Sequence, residues 1–459
     1  MFSSRARHSL NMTEGPLLKN ILLFSLPLMI SGTLQLLFNA ADTIVVGRYA
    51  GEEALAAVGS VGSLNSLIVS LFMGLSVGAN VVVARQLGAR DHKGVQDAVH
   101  TAIAIAILSG VILAFVGFFL ARPLLLKMGS PEDVIDLSVL YVRIIFLGMP
   151  VQMLYNFCAA ILRAAGDTRH PLYYLTISGV LNVVLNLLFV ICFHMTVDGV
   201  ALATVLSQLV ATILIVRSLM LQDGNLRLSW KKLRIVPSQL VQIVRVGLPC
   251  GIQTSVFALS NVLIQSSLNS FGTLAMAGNA AAANIGSFVA QGVTAFAQAA
   301  TSFVSRNVGA RKPRRALRAM WCCQVWSLLF SAPLGFAVYL LGERLLGIYN
   351  TDPAVIAFGM RRMLMVYLPY WITGFMEIFS GALRGIGYSL LPMVISLLGA
   401  CAFRIMWILT IFKKYHTLSC LLLSFPVSWV ITSVVMGCFF FAMYKRLCAQ
   451  HTPSELAAR

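Results

Sequence analysis

Two acidic side chains, Asp42 and Glu377, stand in the chain with apolar sequence on either side. A carboxylate inside a bilayer costs on the order of 2.5–3.5 kcal/mol on insertion scales, so its default reading is functional: it binds a cation, takes up a proton or meets a charged partner. Gln35, Asn39 and Asp42 fall at i, i+4 and i+7, which puts them on one helical face. Three polar groups on one stripe line a cavity or pack against another polar stripe. A plainer reading leaves Asp42 at the outer headgroup level. Asn182 and Asn186 are four residues apart and share a face, and Thr204 follows on the next apolar segment. The amides also fit the simpler role of hydrogen-bonding glue between helices. Glu377 has two readings, pairing with Arg404 or contact with a cationic substrate.

Other chemistries lack their residues. The nine Cys form no C-x-x-C pair, the seven His are scattered, and no H-E-x-x-H occurs. Zinc sites, disulfide frameworks and a membrane metalloenzyme all need such spacings. No enzyme activity and no cofactor is expected, and the ion to account for is a transported H+ or Na+, with Asp42 as the place to hold it.

The elements that must position these groups follow from composition. Of 459 residues, 58% are hydrophobic and 11% charged, against roughly 45–50% and about 25% in soluble domains. Such a chain meets lipid on its outer face. Twelve apolar segments long enough to cross a bilayer can be read: 17–46, 55–84, 97–121, 133–158, 170–193, 198–221, 239–268, 274–305, 316–341, 354–382, 390–412 and 418–444. Arg5, Arg7 and Lys19 frame the start of an apolar run too long for a cleaved signal core, so the first span is expected to stay as an anchor. If the N-terminus is cytoplasmic, 24 of the 34 Lys and Arg fall on the cytoplasmic side. That bias expects both termini inside. It also explains the formal charge of +18 as topology, without a nucleic acid partner.

The chain repeats itself. Leu26-Pro27 overlays Leu248-Pro249, Asn39 overlays Asn261, the run Val83–Arg90 overlays Val304–Arg311, and Leu162–Gly166 overlays Leu383–Gly387. The expected organisation is an N-terminal six-helix lobe at 1–222, a cytoplasmic linker at 223–238 and a C-terminal six-helix lobe at 239–459. Six spans per repeat make the repeats parallel, with the pseudo-symmetry axis along the membrane normal, a transporter architecture whose substrate site lies between the halves. Candidate substrate contacts are Met29, Gln35, Asn39, Asn261, Gln265, Met276, Tyr370, Trp371, Met376 and Glu377, because Met and aromatic rings adapt to varied ligands. Ordinary packing competes with that role for each of them. Pro27 and Pro249 are the candidate hinges.

Asp42–Arg48, Val83–Arg90, Leu162–Asp167, their repeats in the second half and Gly199–Thr204 resemble the multidrug and toxic compound extrusion (MATE) family over essentially the whole chain. The resemblance implies an all-α polytopic membrane protein, a V-shaped pair of six-helix lobes, and export of amphipathic, often cationic, organic compounds in exchange for Na+ or H+. It carries a polar ion cluster onto Asp42, Asn182, Asn186 and Thr204. Many relatives have Asp where this chain has Asn186, so the cluster holds a single carboxylate. Small-molecule substrates and membrane lipid are the expected partners, and a monomer in a bacterial cytoplasmic membrane the expected state. A lipid-linked sugar or cell-wall-precursor flippase of the same superfamily is the alternative.

Overall fold

The computed structural model describes residues 10–127, 134–222 and 224–451. Arg5 and Arg7, named above, and position 223 of the expected linker lie outside them. Among the described residues eleven helices are long and apolar enough to span a membrane, and a bent helix pair taken as one span makes a twelfth. In chain order the spans are α1 (Leu17–Ala50), α2 (Glu52–Ala89), α3 (His92–Lys127), α4 (Ile135–Leu147 with Met149–Ala165), α5 (Arg169–Cys192), α6 (Val197–Met220), α7 (Pro237–Asn269), α8 (Thr273–Gly309), α9 (Pro313–Leu340), α10 (Pro353–Ile386), α11 (Leu390–Phe412) and α12 (Leu418–Ala449). The fold is all-α, with two pseudo-symmetric six-helix lobes. The 45° bend of α4 falls at Gly148-Met149-Pro150, where a proline without an N–H leaves the helical ladder open.

The internal repeat extends to backbone conformation. Gly51 and Gly272, Arg90 and Arg311, and Gly166 and Gly387 are the same distance apart in the chain, and all six residues have positive φ. Gly166 and Gly387 end α4 and α10 in the left-handed region at φ 95° and 105°. There the amide after each glycine, Asp167 N–H and Tyr388 N–H, reaches back to Leu162 O and Leu383 O, each at 2.9 Å. This is the helix stop that glycine permits at least cost. Arg90 and Arg311 take the same turn without glycine, and Asp91 N–H and Lys312 N–H bond back to Gln86 O and Asn307 O at 3.1 and 2.9 Å. The duplicated sequence blocks are therefore duplicated helix ends.

By contacts the chain separates into two compact units. One is built on Ile30–Gly251, the other on Asn11–Met29 and Ile252–Arg459. The division thus falls inside α1 just after Pro27 and inside α7 just after Pro249, and not in the expected linker at 223–238. That linker belongs to the first unit: Arg234 pairs with Asp97 at 2.6 Å, and Val236 N–H donates to Thr101 Oγ1 at 3.1 Å. In the same unit Gly74 and Gly78 of α2 face Gly247 and Gly251 of α7 so closely that any Cβ would meet backbone atoms. Without a hydrophobic drive between helices in lipid, small residues that let backbones approach supply the packing. Ala98, Ala102 and Ala106 of α3, all fully buried, extend the same small-residue core.

In the second unit the start of α1 is held by polar anchors. Asn307 Nδ2 donates to Met12 O at 3.1 Å, Arg315 Nη2 to Gly15 O at 2.9 Å and Trp326 Nε1 to Leu18 O at 3.0 Å. Phe24 meets Phe303 edge to face at 5.4 Å. The core of this unit gathers Val289, Met363, Tyr367, Leu421 and Leu422 from α8, α10 and α12.

Candidate functional site

Each unit has its own polar centre. In the first, Asp42 of α1 meets α5 and α6. Asn186 Nδ2 donates to Asp42 Oδ1 at 2.5 Å and to Asn182 Oδ1 at 3.4 Å. Asn182 Nδ2 donates to Thr204 Oγ1 at 3.4 Å, and that hydroxyl donates to Val200 O at 2.9 Å. Asn186 is fully buried, and its Oδ1 has no hydrogen-bond partner among the described residues. Asp42 is half-buried and, among the described residues, forms no ion pair.

Local backbone shape positions these groups. A widened π-helical turn follows Asp42 at Val46–Ala50 and follows Asn186 at Leu188–Cys192. Such turns rotate side chains out of regular register and recur at functional sites. The cluster offers the second oxygen of Asp42, the orphan carbonyl of Asn186 and the Thr204 hydroxyl, all hard oxygen donors suited to Na+ or a proton. Tyr141 of α4 interacts electrostatically with Asp42. Nothing in its apolar stretch singled it out. Gln35 and Asn39 lie exposed on α1, and neither side chain hydrogen-bonds to the Asp42 cluster. Met29 is half-buried.

In the second unit α7, α8, α10, α11 and α12 line a cavity of 440 Å³. Asn261, Gln265, Tyr370, Met376 and Glu377 line it. Met276 and Trp371 are not among its walls, and they are 36% and 37% exposed. Trp371 opens the helix next to Tyr370, and since adjacent helical residues point about 100° apart, Tyr370 lines the cavity while Trp371 packs on Phe375 at 6.3 Å.

The same cavity receives Arg362 and Arg404. Arg362 Nη1 donates to Asn279 Oδ1, and Asn279 Nδ2 passes a bond to Gln265 Oε1 at 3.1 Å. Arg404 is 3% exposed. Its Nε donates to Ser428 Oγ at 2.9 Å, and its guanidinium lies 4.4 Å from the Phe425 ring centre and 5.9 Å from that of Trp429. No ion pair joins it to Glu377 within 4.0 Å, which corrects the pairing read from the sequence. The guanidinium donates to one hydroxyl and lies against two ring faces, a cation–π arrangement that holds it in place. Arg362 escaped the sequence reading because its place at a span end looked like a headgroup charge. The available signal for Arg404 was a cation deep in an apolar span with no acid one turn away.

Comparison with known proteins matches this architecture. The MatE family model fits residues 27–188 and again 249–409, once per repeat, each copy beginning at a candidate hinge proline. The Bacillus subtilis protein YpnP, named a probable multidrug resistance protein, is 27% identical over 85% of this chain and 88% of its own length. NorM of Thermotoga maritima, named likewise, is 28% identical over 84% of each chain. A FAD transporter of Shewanella oneidensis is 25% identical over 96% of this chain and 97% of its own. Among solved structures, a MATE protein in the bent conformation superposes with a TM-score of 0.89 at 22% identity, covering 96% of this chain and 98% of the other. A MOP superfamily transporter from Pyrococcus furiosus, described as having a binding pocket of reversed polarity, gives the same score and identity over 95% and 98%. At that identity the structural likeness speaks for the fold alone. With the family model covering most of both repeats, the chain belongs to the MatE family.

Proposed function

We propose that this chain is a multi-pass secondary transporter of a bacterial cytoplasmic membrane. It exports amphipathic organic compounds by alternating access, in exchange for inward movement of H+ or Na+. The observation that carries this is the α1 carboxylate of Asp42, held by the Asn186 amide beside an unsatisfied buried carbonyl oxygen. The names of the bacterial relatives support the export of multiple compounds.

Asp42 takes up the cation from outside, the Asn186 amide turns to present its oxygen, and the bond that fixed α1 to α5 is exchanged for contacts to the ion. That change favours substrate release outward. Loss of the ion to the cytoplasm restores the bond and the substrate-accepting state. Pro27 and Pro249 act as the hinges. Two affinities coupled in this way are what a secondary transporter requires. A combined driving force of about 150 mV supplies about 3.5 kcal/mol per cation, enough for a concentration ratio of a few hundred for a neutral compound at one-to-one exchange.

The test is uptake of amphipathic fluorescent probes of either charge into inverted vesicles under separately imposed sodium and proton gradients. One gradient is expected to drive uptake. No uptake under either would refute the coupled-efflux reading. Rescue of a cell-wall-precursor defect without any probe transport would point to the flippase instead.

A further inference from the structure

We infer that the cavity of the second unit binds an aromatic organic anion, an acidic oxyanion carried on a flat ring system. This rests on the transporter reading and names the substrate class that one of its sites accepts. It also reverses the charge that the family resemblance led us to expect.

Three observations converge. First, the cavity walls contain two guanidinium groups, Arg362 and Arg404, against one carboxylate, Glu377, which is ion-paired with neither. The cavity therefore has one positive charge in excess, in a setting where buried charge is retained only with compensation. Second, neither guanidinium is saturated. Among the described residues Arg404 makes one side-chain hydrogen bond, to Ser428, and Arg362 has a buried Nε without a partner. Guanidinium forks suit carboxylate, sulfonate and phosphate groups in two-point contact. Third, the arginines are bracketed by rings. Arg404 lies over Phe425 and Trp429, and Arg362 lies 5.7 Å from the Tyr367 ring centre. Ring faces that hold an arginine in place leave edges and neighbouring faces for a flat aromatic ligand.

Backbone shape adds to the placement. Arg362 stands immediately before a widened turn at Met363–Tyr367, and Arg404 lies between two such turns, Leu397–Ala402 and Ile408–Phe412. The cavity of 440 Å³ is within the range of about 300–1,000 Å³ typical of small-molecule sites. Thus the missing counter-charge arrives with the ligand, and Glu377 acts as a local brake on anion affinity, so that binding is not too tight for release.

The experiment is equilibrium dialysis of the full-length purified protein, without any ion gradient, against naphthalene-2-sulfonate and its cationic analogue 2-naphthyltrimethylammonium. The sulfonate is expected to bind saturably and more tightly than the ammonium. Arg404→Gln and Arg362→Gln should each weaken it by about 10- to 100-fold, the range for a lost charge-assisted hydrogen bond. Glu377→Gln should tighten sulfonate binding several-fold, a gain that misfolding cannot mimic. Preference for the ammonium, absence of saturable sulfonate binding, or an unchanged affinity in Arg404→Gln would overturn the inference. Sulfonate that binds as expected, while no amphipathic probe of either charge is moved by either gradient in vesicles, would leave this site standing and sink the transport reading.

Discussion

Asn186 donates its amide to the Asp42 carboxylate at 2.5 Å while its own carbonyl oxygen, fully buried, has no partner. One side chain thus fixes α1 to α5 and keeps an acceptor in reserve. Removing only one partner of a buried polar pair leaves the other unsatisfied, at about 1–3 kcal/mol or more when it is charged. Asn186→Leu keeps the branching at Cγ and removes both functions. It is expected to lower ion-driven transport by about tenfold or more, whereas Thr204→Val, one neutral bond further out, should cost about fivefold. Initial rates in vesicles under a fixed gradient check the ranking. Equal losses would mean the chain of bonds is not graded toward Asp42.

Glu377 gives a prediction about stability. Breaking a buried ion pair costs about 3–5 kcal/mol. Because Glu377 is not ion-paired with Arg404, Glu377→Gln should change stability by less than about 1 kcal/mol. Thermal unfolding of the detergent-solubilised variant reads this directly. A large drop in Tm would show that the Arg404 pairing, one of the two readings open in the sequence, exists.

The α2–α7 contact predicts opposite signs for one chemical change. A Cβ on Gly74 would meet the backbone of Gly247 and Gly251, while a Cβ on Gly59 of the same helix meets nothing within 4 Å. Gly74→Ala should destabilise by about 1–3 kcal/mol through overpacking. Gly59→Ala should stabilise by about 0.5–1 kcal/mol, since alanine is the better helix former. The two Tm shifts should therefore differ in sign, and matching shifts would refute the close approach.

Much of this architecture is legible in the sequence because it is local or periodic. Span positions follow from runs of apolar residues. The duplication follows from blocks such as Val83–Arg90 and Val304–Arg311, which form the same helix end twice. Asn182 and Asn186 are readable as one face because they lie one helical turn apart. Their meeting with Asp42 entered through family resemblance, since no spacing rule joins α1 to α5. The second cavity was only partly legible. Gln265, Tyr370 and Glu377 drew notice as polar or aromatic groups in spans, but Arg362 and Arg404 converge with Phe425 and Trp429 only through the packing of α10, α11 and α12. Trp371 was a candidate only as an aromatic residue, and beside Tyr370 on a helix it points to a different face and is absent from the cavity walls. The division of α1 and α7 just past Pro27 and Pro249 lies in contacts, where composition pointed instead to the polar stretch near residue 230.

The central claim is that the Asp42 carboxylate couples an inward cation to outward substrate. The most direct measurement is gradient-driven uptake in inverted vesicles by Asp42→Asn, set beside probe binding to the same purified variant without a gradient. Coupling predicts that gradient-driven uptake falls to background while binding in the second unit's cavity is retained. Uptake undiminished under the same gradient would contradict it.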